Sequence, residues 1–177
     1  MGAMTRRPAT LGTCAWVSAT DVGSSLMEAE TPAVESVIAR DAIENVCAGR
    51  LDRIAEFYDE EFVDYVNGMV FRGHEEGRES IAFYKSLFSP LRFEVDEQVT
   101  EGDRVASRWT LYGTNRGRQV VLHGMVISRI RDGRIIEDHA FSDTLALPRA
   151  LGVWRTLAVL VDIARGRVKV PKGAIGG

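Results

Sequence analysis

An α+β fold, helices first and a four-strand meander after them, is what this chain of 177 residues predicts. Three observations carry that reading. From Leu91 to Asp143, apolar and polar residues alternate through four long runs joined by Gly-containing turns, the period-two pattern of strands with one face buried. Between Pro32 and Phe88, apolar residues recur mostly at spacings of three and four. That is the helical period, and it is broken by Asn67-Gly68, a two-residue hairpin signature. The two patterns occupy separate stretches, which favours α+β over a parallel βαβ sheet. At 45% hydrophobic content, the chain can fill one full core.

Residues 1–30 read as a flexible extension. Arg6 and Arg7 precede apolar residues scattered among Gly, Ser and Thr, without the continuous apolar stretch of a secretory signal, and Met27 is a candidate natural start. Thr31-Pro32 opens the first helix, a capping hydroxyl followed by a proline where no N–H is needed. Val34, Val37, Ile38, Ala42 and Val46 form its apolar face and Gly49 ends it. A short second helix sets Leu51, Ile54, Ala55 and Tyr58 on one side. Phe62–Val66 alternates as a strand, and Met69–Phe71 returns from the Asn67-Gly68 turn. The third helix, Glu75–Phe88, carries Ile81, Tyr84, Leu87 and Phe88 inward and stops at Pro90. The meander follows as Leu91–Val99, Arg104–Gly113, Val120–Ile130 and Arg134–Asp143. After Pro148, a run of Leu151, Trp154, Leu157, Ala158, Leu160, Val161 and Ile163 has helical spacing and leads into a basic tail. Polar positions within that run are few, so its burial against the sheet edge or over a pocket is expected. Dimer contact and a membrane surface are the alternatives. The division is thus a domain over 31–147 and a C-terminal helix with its tail over 148–177.

Composition excludes several classes. A net charge of −3 gives no reason to expect nucleic acid. Cys14 and Cys47 form no C-x-x-C pair or disulfide framework, which makes a reducing cytoplasm the expected compartment. Cys47 reads as a core residue of the first helix. No apolar run is long enough to span a bilayer. His74, His123 and His139 stand in no metal-ligand spacing, and no Gly-rich phosphate loop opens a helix after a strand, so neither metal nor cofactor is expected. His74 reads as structural, and His123 and His139 as outward-facing.

The segment GDRVASRWTLYGTN, followed by VVLHGMVISRIRDGRIIEDHAFSDTLALPRALG, resembles the closing strands of the SnoaL-like polyketide cyclases. Their superfamily, named for nuclear transport factor 2, includes ketosteroid isomerase and limonene epoxide hydrolase. The resemblance spans roughly residues 33–152. It implies a cone in which a curved, mixed or antiparallel sheet wraps the N-terminal helices around a pocket, in the order α-α-β-β-α-β-β-β-β, with an extra C-terminal helix here. The stretch DYVNGMVFRGHEEGRESIAFY is similar to the isomerase segment that carries the proton-shuttling base, which falls on Asp64. The isomerase's enolate-binding Tyr and Asp fall on Ala42 and Val126, which cannot donate a side-chain hydrogen bond. The cyclases' catalytic Asp falls on Ala140 and their His on Val126. The hydrolase's Asp also lands near Ala140, and its Arg-x-Asp element lands near Ser107 and Trp109. The fold carries over, and none of the three mechanisms does directly.

Alternation along the last strand supplies what remains. If position 140 faces the pocket, Asp138 and Ser142 do so too, while Glu137, His139, Phe141 and Asp143 face away. Asp64 and Asp138 are then the candidate catalytic pair, Asp64 as base and Asp138 as acid, because two carboxylates in an apolar pocket drive their pKa values apart. Tyr84, Trp109, Leu111, Val126, Ala140 and Ser142 are the candidate substrate-binding residues. The expected function is a cofactor-independent cyclase, isomerase or epoxide hydrolase acting on a hydrophobic polyketide or terpenoid/steroid-like molecule. A non-catalytic ligand-binding or dimerisation module is the alternative, as is an accessory subunit docking through the Leu151–Ile163 helix. Homodimerisation through the outward sheet face is expected, since Glu137, His139 and Phe141 mix polar and aromatic groups there.

Overall fold

The computed structural model describes residues 32–171 and 173–175. Helix α1 (Val34–Asp41) runs on through a π-helical turn (Ala42–Cys47), and a 3₁₀ turn (Leu51–Arg53) leads into the short α2 (Ile54–Phe57). Strands β1 (Tyr58–Val66) and β2 (Met69–Arg72) form a hairpin, followed by α3 (Gly73–Leu87). The meander is β3 (Leu91–Glu101), β4 (Arg104–Asn115), β5 (Arg118–Arg131) and β6 (Arg134–Ser142). Helices α4 (Ala146–Leu151) and α5 (Val153–Ala164) come next, and a short β7 (Ala174–Ile175) closes the order.

The sheet runs β3-β4-β5-β6-β1-β2-β7. Six strands form a curved, unclosed sheet, and β7 extends its edge. Every pairing is antiparallel except β1 with β6, which is parallel. That pair follows from the connections: a tight turn reverses each strand of the meander, whereas α3 and the rest of the meander separate β1 from β6. The hairpin turns are built from residues in the left-handed region, Asn67-Gly68 at φ 49° and 85° and Arg116-Gly117 at φ 48° and 77°. This is the backbone twist that suits a two-residue connection.

The helices and the inward sheet face share two core clusters. One joins Ile43, Leu87 and Phe88 to Trp109, Leu111, Leu122 and Val126. The other joins Ala39, Ala42, Val46 and Ile54 to Phe62, Val105 and Ile130. Gly77 is required where α3 crosses β1, because a Cβ there would lie 2.6 Å from the Phe62 ring.

Four expectations are corrected. Helix α1 begins at Val34 with Ala33 as its cap, two residues after Pro32, and Thr31 lies outside the described residues. Its buried side is Ala39, Ala42, Ile43 and Val46, while Val34 and Val37 are exposed; these two lie on the opposite side of the helix from Ser36, which is buried and whose carbonyl accepts from Gln98 Nε2 at 3.0 Å. Tyr58 starts β1 rather than ending α2, and a register shift between Tyr58 and Val63 interrupts the strand's alternation. Finally, α5 is only half buried. Val159 faces the core, but Trp154 is 84% exposed and Leu157, Leu160 and Val161 also face solvent. Among the described residues, no helix is long and apolar enough to cross a membrane.

Candidate active site

On β1, Phe62 and Val66 are buried, and strand alternation between them puts Asp64 on the same side; Tyr58, ahead of the register shift, is buried as well. The parallel pairing with β6 sets Asp64 opposite Asp138 and Val66 opposite Ala140. On the other side of β6, antiparallel β5 sets Ser128 opposite Asp138 and Val126 opposite Ala140. The result is a polar row, Asp64–Asp138–Ser128, beside an apolar row, Val66–Ala140–Val126. Neighbouring strands lie about 4.8 Å apart, so the two carboxyl groups are immediate neighbours. Ile43 and Cys47 from the α1 extension and Ser80 and Tyr84 from α3 cover these rows. The enclosed space is about 80 Å³.

Burial dominates the electrostatics. It raises the Asp64 pKa well above the usual carboxylate range, and the charge of Asp138 adds to the effect. Asp138 is pushed up to about 6, again mainly by burial, while the nearby Ser128 and Tyr58 hydroxyls and the charge at His139 pull it back. Its Oδ1 has no hydrogen-bond partner among the described residues. The Tyr58 phenol, buried beside both carboxyls, is raised far above its ordinary value and so stays a neutral donor. Cys47 Sγ lies 3.9 Å from the Tyr58 oxygen, and burial pushes its thiol up to about 12. It is therefore an unreactive thiol at neutral pH.

Asp64, Asp138, Tyr84, Trp109, Val126 and Ala140 all line the cavity. Leu111 does not; it is fully buried in the core, where its strand partners are Phe93 and Leu122. Ser142 is also outside the lining, because the hairpin turn captures it. Asn67 Nδ2 donates to Ser142 Oγ at 2.9 Å, and the Ser142 N–H donates to Asn67 Oδ1 at 3.0 Å. The Ser142 hydroxyl still moderates Tyr84, whose pKa burial raises. Trp109 packs edge-on against Phe93 at 5.2 Å and covers Gly124, its partner on β5, leaving no room there for a Cβ.

Sequence reasoning missed several site residues, among them Tyr58, Ser128 and Cys47. Tyr58 was hidden by the register shift in β1, which leaves Glu60 exposed between the buried Tyr58 and Phe62. Ser128 shows only once β5 and β6 are put in register. Cys47 is not simply core, since its sulfur faces the cavity. The histidines lie elsewhere: His74 Nε2 bonds the Tyr58 carbonyl oxygen at 3.0 Å, His123 meets Thr110, and His139 pairs with Glu137 and stacks on Tyr65. Among the described residues, no group of three or more His, Cys, Asp or Glu side chains gathers as metal ligands would.

Residues 39–138 match the family profile of the SnoaL-like domain. No curated protein matches the chain in sequence. Among crystal structures, the chain is similar to IdmH, a proposed polyketide cyclase from Streptomyces antibioticus, at 25% identity and TM-score 0.62 over 67% of this chain and 99% of that one. A proposed SnoaL-like polyketide cyclase from Jannaschia sp. CCS1 aligns at 22% identity and TM-score 0.60 over 66% and 90% of the two chains. TsrD from Streptomyces laurentii aligns at 23% and 0.59 over 69% and 97%.

Proposed function

The chain belongs to the SnoaL-like domain family, and from that premise we propose that it is a cofactor-independent enzyme that moves protons on an apolar, oxygenated small molecule. A polyketide or terpenoid/steroid-like intermediate is the substrate class, in line with the polyketide cyclases among its structural relatives. One observation carries the proposal: Asp64 and Asp138 sit opposite one another on adjacent strands inside an otherwise apolar cavity. Two such carboxyls cannot both ionise easily, so near neutral pH they hold one proton between them. Burial raises the pKa of both carboxyls, and the first proton lost belongs to the pair. The ionised member of the pair starts as the base and the protonated one as the acid, with Asp64 as base and Asp138 as acid the assignment proposed from the sequence. Abstraction of a C–H proton by the ionised carboxyl leaves an enolate. Protonation by the other carboxyl, or a hydrogen bond from Tyr58, then stabilises that charge, a task for which the resembled isomerase uses other groups.

A space of about 80 Å³ is well below the roughly 300 Å³ of a small drug-sized site. Only the reacting end of a substrate enters it as described, and larger substrates require Tyr84 and α3 to move. A second reading, a ligand-binding protein without turnover, is favoured by the apolar Val126 and Ala140 at places where the resembled enzymes carry acid or base groups. Homodimerisation belongs to the same proposal, through the outer sheet face, where Met125 and Phe141 are exposed strand partners.

The test needs no knowledge of the natural reaction. The protein is incubated in deuterium oxide with β-tetralone, an apolar ketone with acidic α-hydrogens, and exchange is followed by mass spectrometry. Asp64→Asn and Asp138→Asn are each expected to slow exchange by about 10²–10⁴-fold with little change in ketone affinity. Ketone binding without any exchange above buffer, in parent and variants alike, would favour the binding protein.

A further inference from the structure

Helix α5 presents two apolar faces, and the catalytic reading uses neither. Val159 is buried and Ile163 packs against the core cluster. On the opposite side Val153, Trp154, Leu157, Leu160 and Val161 face solvent, with Val153 72% and Trp154 84% exposed. At 100° per residue, these five positions fall within an arc of about 120°, so they form one continuous stripe on a helix about 18 Å long.

The charge around this stripe is one-sided. Residues 144–177 contain six basic residues and a single acid, Asp162. Their net +5, set against the whole chain's −3, leaves −8 on residues 1–143. Asp162 is itself neutralised, paired with Arg116 and, at 3.3 Å, with Arg167. Arg165 and Lys169 remain exposed beyond the C-terminal end of the stripe, whereas Arg155 lies on the far side of the helix and donates to the Arg116 carbonyl at 2.9 Å.

From this we propose that the α5 face docks on an anionic lipid surface, the apolar stripe entering the headgroup boundary and Arg165 and Lys169 at its C-terminal end meeting lipid phosphates. Three arguments select that occupant. The stripe carries no hydrogen-bonding side chain apart from the Trp154 indole, whereas a protein interface of ordinary composition has about one hydrogen bond per 100–200 Å². An indole at the edge of an apolar stripe suits the bilayer interface. The acidic remainder of the chain is repelled by an anionic membrane, so electrostatics alone also selects this orientation.

The experiment is co-sedimentation of the full chain with vesicles of phosphatidylcholine, or of phosphatidylcholine and phosphatidylglycerol in equal parts. Binding is expected on the anionic vesicles at low salt, weakening by roughly tenfold or more on the neutral ones and at about 0.5 M salt. Trp154→Glu combined with Leu160→Glu alters two side chains that are more than half exposed. This variant should keep its far-UV circular dichroism and lose the binding. Arg165→Gln with Lys169→Gln should weaken binding about fivefold per charge removed. No sedimentation with anionic vesicles at low salt would overturn the proposal, as would binding that the double Glu variant retains. A lipid-free dimer that the double Glu variant dissociates would assign the face to a second copy and overturn it equally.

Discussion

Asp138 is buried at 6% exposure with one oxygen unpartnered, and its raised pKa has consequences for both rate and stability. In the folded state its carboxyl titrates at about 6, against an ordinary value of 3.8. Folding therefore favours the protonated form. The associated stability is complete below about pH 4 and is lost as pH rises through about 6, a difference on the order of 3 kcal/mol. Asp138→Asn has no proton to lose, so its urea midpoint should exceed that of the parent at pH 7.5 and converge with it near pH 4. Activity should move in the opposite sense: kcat/KM falls as pH drops below about 6, because the starting base becomes protonated. Tyr58→Phe removes a hydroxyl that holds the Asp138 pKa down. That change should shift the acid limb of the pH profile upward and reduce turnover, by about 10²-fold if the phenol meets the enolate. An unchanged profile would remove Tyr58 from the mechanism.

The β1–β2 turn is more than a reversal of the chain, because Asn67 combines a left-handed backbone with two hydrogen bonds to Ser142 at the end of β6. Ser142→Ala forfeits only the hydroxyl bond, about 1 kcal/mol. Asn67→Ala forfeits both bonds and places alanine at φ 49°, for a total of about 3 kcal/mol; denaturant titration of the two variants separates the contributions. Gly124→Ala should cost about 1–3 kcal/mol by driving Trp109 off its place in the cavity wall. The strands of the meander were legible in the sequence because each buries one face and alternates, with ends found within a few residues. The start of β1 was not, because extra residues between Tyr58 and Val63 break its alternation. The inward parity of Asp138 and Ala140 could be read from the sequence. Their partners could not, since parity fixes which face a residue takes but not which strand lies beside it. The apolar run of α5 suggested burial, yet the end of α3 and the β4–β5 turn cover only one side of the helix.

At the scale of the whole molecule, the outer sheet face leaves Met125, Ile127 and Phe141 exposed, with Met125 and Phe141 opposed across β5 and β6. If this face forms the homodimer, Phe141→Glu should convert a dimer into a monomer in sedimentation equilibrium while leaving the pocket on the other face unaffected. A parent protein that is monomeric at micromolar concentration would remove the dimer from the proposal. The parallel pairing of β1 with β6 also bears on how the molecule assembles. The meander can form by zipping neighbours together, but β1 must wait for a strand that begins 68 residues after its own last residue, Arg134 after Val66. Such distant closure carries the greatest loop entropy and the lowest rate. During synthesis, β1 is released long before its partner exists, so Asp64 remains an ordinary hydrated carboxylate until β6 docks. The acid–base pair is therefore assembled in one of the last steps of folding, and partly folded chains with a complete meander would already have a core but no chemistry.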